Sequence, residues 1–210
     1  MMEIITEIPQ GSDDWFQLRI GSIGGSSISS AVAKGEGKVR LGLMYDMVGE
    51  MLSGQKKESY KSKPMEDGLT FEDDARTLYS FMTDSGVHQI AMFRDGQHKH
   101  YSPDGCVGDD GLIEIKTVIP STFVEFKATG TIPTDYKRQM HWGLHISGRK
   151  WCDYVIYSPA IKEISAIEIT RIWRDPKEIY VLNDGADMFI EEMLTLYTKI
   201  TGNIAEVAKA

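Results

Sequence analysis

The chain has 210 residues, 41% hydrophobic and 26% charged, an ordinary balance for one globular domain over residues 1–210, with a core that could bury roughly 70% of its unfolded surface. The net charge of −8 argues against a protein that coats nucleic acid nonspecifically, although a local basic patch would still allow a nuclease. Two cysteines exclude a disulfide framework and a four-cysteine zinc site, no apolar run nears the ~20 residues of a membrane span, and Met1–Ile5 lacks the marks of a secretion signal, so a cytoplasmic location is expected.

In chain order, residues 2–8 read as a short strand. Ser12-Asp13-Asp14 is suited to cap a short helix carrying Trp15, Leu18 and Arg19, which Gly21 ends. Gly24-Gly25-Ser26-Ser27 opens a second helix to about Ala33, and its free amides could face an anion. Leu41, Met44, Met47, Val48 and Met51 have helical spacing, and Gly54 to Lys63 is a polar loop. Seven basic residues (Lys34, Lys38, Arg40, Lys56, Lys57, Lys61, Lys63) face four acids (Glu36, Asp46, Glu50, Glu58) here, either a solvated face or a phosphate-contacting surface. Pro64 to Asp84 is a helix with Leu69, Ala75, Leu78 and Met82 inward, and Glu72 and Arg76 spaced to pair.

A meander follows, Val87–Phe93 and His98–Tyr101 flanking the tight-turn pair Asp95-Gly96. Leu112 to Val118 is short, apolar and β-branched, as a buried strand is. Thr122-x-x-Glu125 suggests a capping box for a helix stopping by Gly130, and Thr134 a cap for one from Asp135 to Ser147, closed by Gly148. Trp151–Tyr157 and Glu163–Thr170 read as a second hairpin. Asp175-Pro176 starts a long helix ending near Thr201-Gly202. Strands in the middle with helices before, between and after predict an α/β layer fold with a mixed central sheet.

The densest chemistry lies at Ser102-Pro103-Asp104-Gly105 followed by Ile113-Glu114-Ile115-Lys116. Alternation along a strand puts Glu114 and Lys116 on one face and Ile113 and Ile115 on the other. A carboxylate and an ammonium on a core strand are costly unless paired or bound. Gly-Asp-Asp-Gly at 108–111 can fold a hairpin that returns Asp104 beside Glu114. Two carboxylates and a lysine around one point suit a hard divalent cation and an activated water; a buried ion pair beside a polar turn is the plainer alternative.

Other candidates are weaker. Glu72-Asp73-Asp74-Ala75-Arg76 is either solvated surface or the source of a further metal carboxylate, Glu72, held by Arg76. Gln139 could hold an attacking water or a phosphate oxygen. His141 and His145 share a helix face, but Trp142 stands where a zinc protease needs glutamate, so core or surface histidines are expected. His98-Lys99-His100 reads as an exposed edge, and Cys106 as a packed thiol. Without a Walker-type phosphate loop, ATP hydrolysis has no support.

These pieces, in this order, resemble the phage lambda-type recombination exonucleases (alkaline exonucleases), a branch of the PD-(D/E)xK nuclease superfamily. Five blocks carry the resemblance over about residues 12–158: Trp15 to Gly21; Ser26; Phe71 to Tyr79; Ser102-Pro103-Asp104-Gly105 with Glu114-Ile115-Lys116; and Tyr136 with Gln139 ahead of Trp151–Tyr157. The resemblance implies a restriction-endonuclease-like core. It implies one Mg²⁺ on Asp104, Glu114 and the carbonyl of Ile115, with Asp104 bridging to a second ion completed by Glu72 and Mn²⁺ a possible substitute. Lys116 would orient or activate the attacking water, Gln139 would stand beside this centre, and Arg19 and Ser26 would grip a terminal 5′-phosphate. Met65 would fall at an apolar wedge that parts the last base pairs.

At the level of function, the resemblance implies a Mg²⁺-dependent 5′→3′ exonuclease on linear double-stranded DNA. It would release mononucleotides and leave a 3′ single strand for recombination by strand annealing. A homotrimeric ring on duplex ends, a single-strand annealing protein as partner, and the cytoplasm of a bacterial host or phage-infected cell complete the expectation. Three departures stand out: Gly24-Gly25 replaces bulkier residues, the basic loop from Gly54 to Lys63 has no clear counterpart, and residues after about 160 match little. A sequence-specific endonuclease and a noncatalytic DNA-end clamp are the rivals.

Overall fold

The structure, a computed structural model, describes residues 2–34, 37–56, 63–162 and 166–202; of residues 63–70 it describes the helical backbone only. Strand β1 (Met2–Ile5) leads to the short helices α1 (Asp13–Gln17) and α2 (Ile28–Ala31), then to α3 (Lys38–Ser53) and α4 (Lys63–Thr83). Strands β2 (Val87–His88), β3 (Met92–Asp95), β4 (Lys99–Tyr101), β5 (Gly105–Val107) and β6 (Gly111–Thr117) follow. Helices α5 (Pro120–Thr129) and α6 (Thr134–Ser147) connect to β7 (Trp151–Tyr157), β8 (Ile167–Trp173) and α7 (Pro176–Thr201).

The strands form two sheets. A three-stranded antiparallel sheet has the order β1-β3-β4, and a five-stranded mixed sheet the order β2-β5-β6-β7-β8. Among the named strands of the described residues only β6 and β7 pair in parallel, because α5 and α6 carry the chain back to the starting edge between them. The expected mixed sheet flanked by helices is therefore present.

Both faces of β6 are covered, which is why its sequence reads as a near-continuous apolar run. Ile113 and Ile115 pack with Val155, Ile167, Ala75 and Tyr79 beneath α4. Leu112 joins Tyr154, Ile156, Trp142 and Phe189 in the larger core, built from the opposite face with α6, α7, α2 and α3. Glu114 points into that larger layer and is 1% exposed.

Several boundaries differ from expectation for identifiable reasons. The run Val87–Phe93 is not one strand: β2 pairs with β5 in the large sheet and β3 with β1 and β4 in the small one, so the chain changes sheets between them. Helix α5 begins at Pro120, whose fixed φ suits the first turn, with Ile119 extended before it; Thr122 lies inside the helix, and no side chain caps it. Thr134 is likewise the first helical residue rather than a cap. On α4 the buried aromatic is Tyr79, and Met82 is 50% exposed. Strand β8 starts later and runs further than expected; residues 163–165 of the expected strand, and most of the 54–63 loop, lie outside the described residues. The Asp175 cap is as read: its carboxylate accepts from the Lys177 amide at 2.8 Å, and Pro176 follows.

Candidate active site

The turn at Ser102–Gly105 is pinned from two sides. Gln10 Nε2 donates to the carbonyl of Pro103 at 3.0 Å and Arg76 Nη1 to that of Asp104 at 2.9 Å. The hairpin then pairs Gly105 with Ile113, which sets Asp104 beside Glu114 as the sequence suggested. Asp104 Oδ2 accepts from the amide of Ile115 at 2.6 Å.

Glu114 is the centre of the cluster. Its Oε1 accepts from Lys116 Nζ at 2.7 Å and from Gln139 Nε2 at 2.5 Å, and its Oε2 accepts from the Tyr101 hydroxyl at 2.8 Å. Lys116 Nζ also lies 3.5 Å from Gln139 Oε1 and 4.7 Å from the ring centre of Tyr136, a cation–π distance. The helix–strand layering explains the convergence: Gln139 and Tyr136 project from α6 onto the β6 face that carries Glu114 and Lys116.

The electrostatics are those of crowded acids. Burial, and next the charge of Glu72, push the Asp104 carboxyl up to about 7, against the pull of Lys116 and the Ile115 amide. Burial also raises Glu114, opposed by Lys116. Burial alone would lower Lys116, but Glu114 and Asp104 outweigh it and hold its pKa above the usual value, so the side chain is an ammonium. Among the described residues, no three His, Cys, Asp or Glu side chains stand as ready-made ligands, and Glu114 is held by Tyr101, Lys116 and Gln139. The donor set still fits a hard divalent cation: the groups are carboxylates, and the mutual repulsion of Asp104 and Glu72 is what such a cation would relieve.

Glu72 reaches the site from α4 beside Asp104, with Arg76 Nη1 3.7 Å from its Oε2 and Arg76 Nη2 bonded to Asp73. Met65 lies on the same helix, but its side chain is outside the described residues. Ser26 is exposed in the turn before α2. That helix is a single turn, Ile28–Ala31, and Ser27 bonds the backbone of Gly24 rather than capping it, so the anticipated anion site at a helix start lacks a helix long enough to supply a dipole.

Arg19 lies elsewhere in the small layer. Its guanidinium stacks over Trp15 at 3.9 Å and its Nε donates to His100 Nε2 at 3.0 Å. Burial lowers its pKa to about 10, partly offset by Glu50. His100 is thus no exposed edge residue: it is 2% exposed and bonded to Arg19 and Ser22, since Ile23 bridges to Lys99 and covers the free edge of β4. His141 packs in the core and His145 bonds Asn183 at 2.8 Å. Sequence reasoning missed Tyr101 and His100. The available signal was Gly24, Gly25 and Gly143, where a Cβ would strike these two side chains.

The mixed sheet that carries this acid turn, Glu-x-Lys strand and glutamine helix has the fold of an alkaline exonuclease. The chain superposes on the crystal structure of an alkaline exonuclease from Laribacter hongkongensis with a TM-score of 0.85 and 27% identity, over 91% of this chain and 97% of that one. The same enzyme in complex with dAMP matches at 0.85 and 28%, over 91% and 97%. A phage related exonuclease from Haemophilus somnus shares the fold at a TM-score of 0.64 and 14% identity, over 89% and 99%. Residues 14–150, well over half the chain, match the YqaJ-like viral recombinase domain, and the chain belongs to that family. A search of curated proteins finds no significant match. The expected kinship with lambda-type recombination exonucleases is thereby borne out.

Proposed function

We propose that this protein is a metal-dependent exonuclease that digests linear double-stranded DNA 5′→3′, releases mononucleotides and leaves a 3′ single strand for recombination by strand annealing. The observation that carries the proposal is the convergence of Asp104, Glu114, Lys116 and Gln139 on one end of β6, in a chain of the recombinase family with the fold of an alkaline exonuclease. The dAMP bound to the Laribacter enzyme is in keeping with a mononucleotide product.

In this reading Asp104, Glu114, Glu72 and the Ile115 carbonyl hold two Mg²⁺ ions, for which Mn²⁺ can substitute. When bound, the ions stabilise charge on the attacking and leaving oxygens of the phosphodiester. The chain's own groups set the stage. Lys116, kept as an ammonium by Glu114 and Asp104, neutralises charge growing on the phosphate and orients the attacking water. Gln139 and Tyr101 fix the Glu114 carboxylate, and Gln139 Oε1 steadies Lys116. Arg19 with Ser26 grips the 5′-phosphate, and Met65 parts the end base pairs. A homotrimeric ring around the duplex, an annealing protein as partner, no need for ATP and a cytoplasmic setting complete the proposal. No helix among the described residues is long and apolar enough to cross a membrane.

The test is incubation with Mg²⁺ and three duplexes: linear with 5′-phosphates, linear with 5′-hydroxyls, and closed circular. Fast loss of the first, slow loss of the second and survival of the third are expected, together with loss of activity in Asp104→Ala, Glu114→Ala and Lys116→Ala. Cutting of the circle would establish an endonuclease, and end binding without turnover a clamp.

A further inference from the structure

We propose that His100 is a positioning residue that aims the Arg19 guanidinium at the terminal phosphate of the duplex. The inference rests on the proposed role of Arg19 as the phosphate grip and adds the group that orients it.

The hydrogen-bond chemistry fixes the state of the imidazole. An arginine Nε can only donate, so His100 Nε2, 3.0 Å away, must present its lone pair. The ring hydrogen is then on Nδ1 and is donated to Ser22 Oγ at 2.8 Å. A doubly protonated ring would turn a donor toward the arginine and break the contact. The surroundings favour the neutral form: burial, then Arg19, Lys56 and Arg94, hold His100 well below the ordinary histidine range.

The site is also shaped for this ring. A Cβ on Gly24 would lie 2.5 Å from His100 Nε2, so the imidazole fills space that any other residue at 24 would claim. Trp15 covers the face of the guanidinium while His100 takes Nε. Among the described residues only Nε has a protein hydrogen-bond partner, which leaves the Nη1–Nη2 edge as a two-pronged donor for an oxyanion. The neighbouring residue, Tyr101, holds Glu114, so two successive β4 residues set the grip and the proposed cleavage centre relative to each other.

Two substitutions separate positioning from mere packing. His100→Gln can place its Oε1 near the Nε2 position and still accept from Arg19. His100→Asn is shorter and can reach Ser22 but not Arg19. The measurement is the equilibrium affinity of the full chain, by fluorescence anisotropy in EDTA, for the same duplex bearing 5′-phosphate or 5′-hydroxyl ends. The parent is expected to prefer phosphate by about tenfold or more, as for a charge-assisted contact. Arg19→Ala and His100→Asn should both fall toward parity, and His100→Gln should retain most of the preference. Equal preference in the Asn and Gln variants, with Arg19→Ala still at parity, would overturn the role of His100 alone. A parent-like preference in Arg19→Ala would remove the grip, and the inference with it. Should the Asn variant fail to fold, Ser22→Ala supplies the second arm. Loss of the Nδ1 acceptor is expected to reduce the preference by about threefold, the scale of one neutral hydrogen bond, and an unchanged preference there would overturn the proposal.

Discussion

Glu114 is 1% exposed and takes hydrogen bonds from three side chains, so its carboxylate has almost no freedom. Tyr101→Phe removes one of those donors without changing the ring, leaving Oε2 short of a buried partner at a cost of about 1–3 kcal/mol. The expected outcome is a folded protein with a clearly lower melting temperature and nuclease turnover reduced about tenfold; wild-type turnover would show that Oε2 needs no such anchor. Asp104 poses the opposite case. Its folded pKa, about 7 against 3.8 for the free side chain, means the folded state keeps a proton that the unfolded chain has lost. Stability of the metal-free protein should therefore fall as pH rises from about 4 through 7. Asp104→Asn keeps the oxygen that accepts from Ile115 and removes the charge. Its melting temperature in EDTA should exceed the parent's by several degrees at pH 8, and the difference should vanish toward pH 4. A variant that melts lower than the parent at pH 8 would contradict the repulsion read here.

At the scale of elements, β4 and α6 meet through a missing side chain. Gly143 lies within α6, where alanine ordinarily stabilises a helix by about 1 kcal/mol. Here a Cβ would come within 2.5 Å of the Tyr101 ring, which is 1% exposed and cannot withdraw. Overpacking of this kind costs about 1–3 kcal/mol. Gly143→Ala is therefore expected to destabilise the fold and to slow nuclease turnover through Glu114; a raised melting temperature would refute the argument. The same interface marks the limit of sequence reading. Asp104, Glu114 and Lys116 were legible because their geometry is local: one hairpin and one alternating strand. Gln139 was a candidate to hold water or phosphate from its own residue type, but its place beside Glu114 came only through the resemblance, and His100 was misread, since nothing near it in sequence reports that Ile23 closes the edge of β4. The breaks at Val87–Phe93 and the start of α5 escaped for a related reason: sheet membership is decided by partners far along the chain, and Pro120 outweighed a capping box.

At the scale of the whole molecule, the difficulty is charge. A chain with 31 acidic and 23 basic residues has little bulk attraction for DNA, and an enzyme that held on by surface charge alone would leave its substrate readily in salt. The proposed ring resolves this by topology: once the duplex is enclosed, escape requires the ring to open. Two consequences follow. The protein should have a solution mass three times the 23.6 kDa of the chain, measurable by light scattering. Digestion already under way should continue when excess competitor duplex and about 0.3 M salt are added, whereas the same additions before mixing should suppress it, because screening at that ionic strength weakens the encounter with a free end but not an existing enclosure. Equal suppression in both orders of addition, or a monomeric mass, would mean that an acidic chain holds DNA through the Arg19 grip and the basic residues near 34–63, and that each nucleotide is removed in a separate encounter.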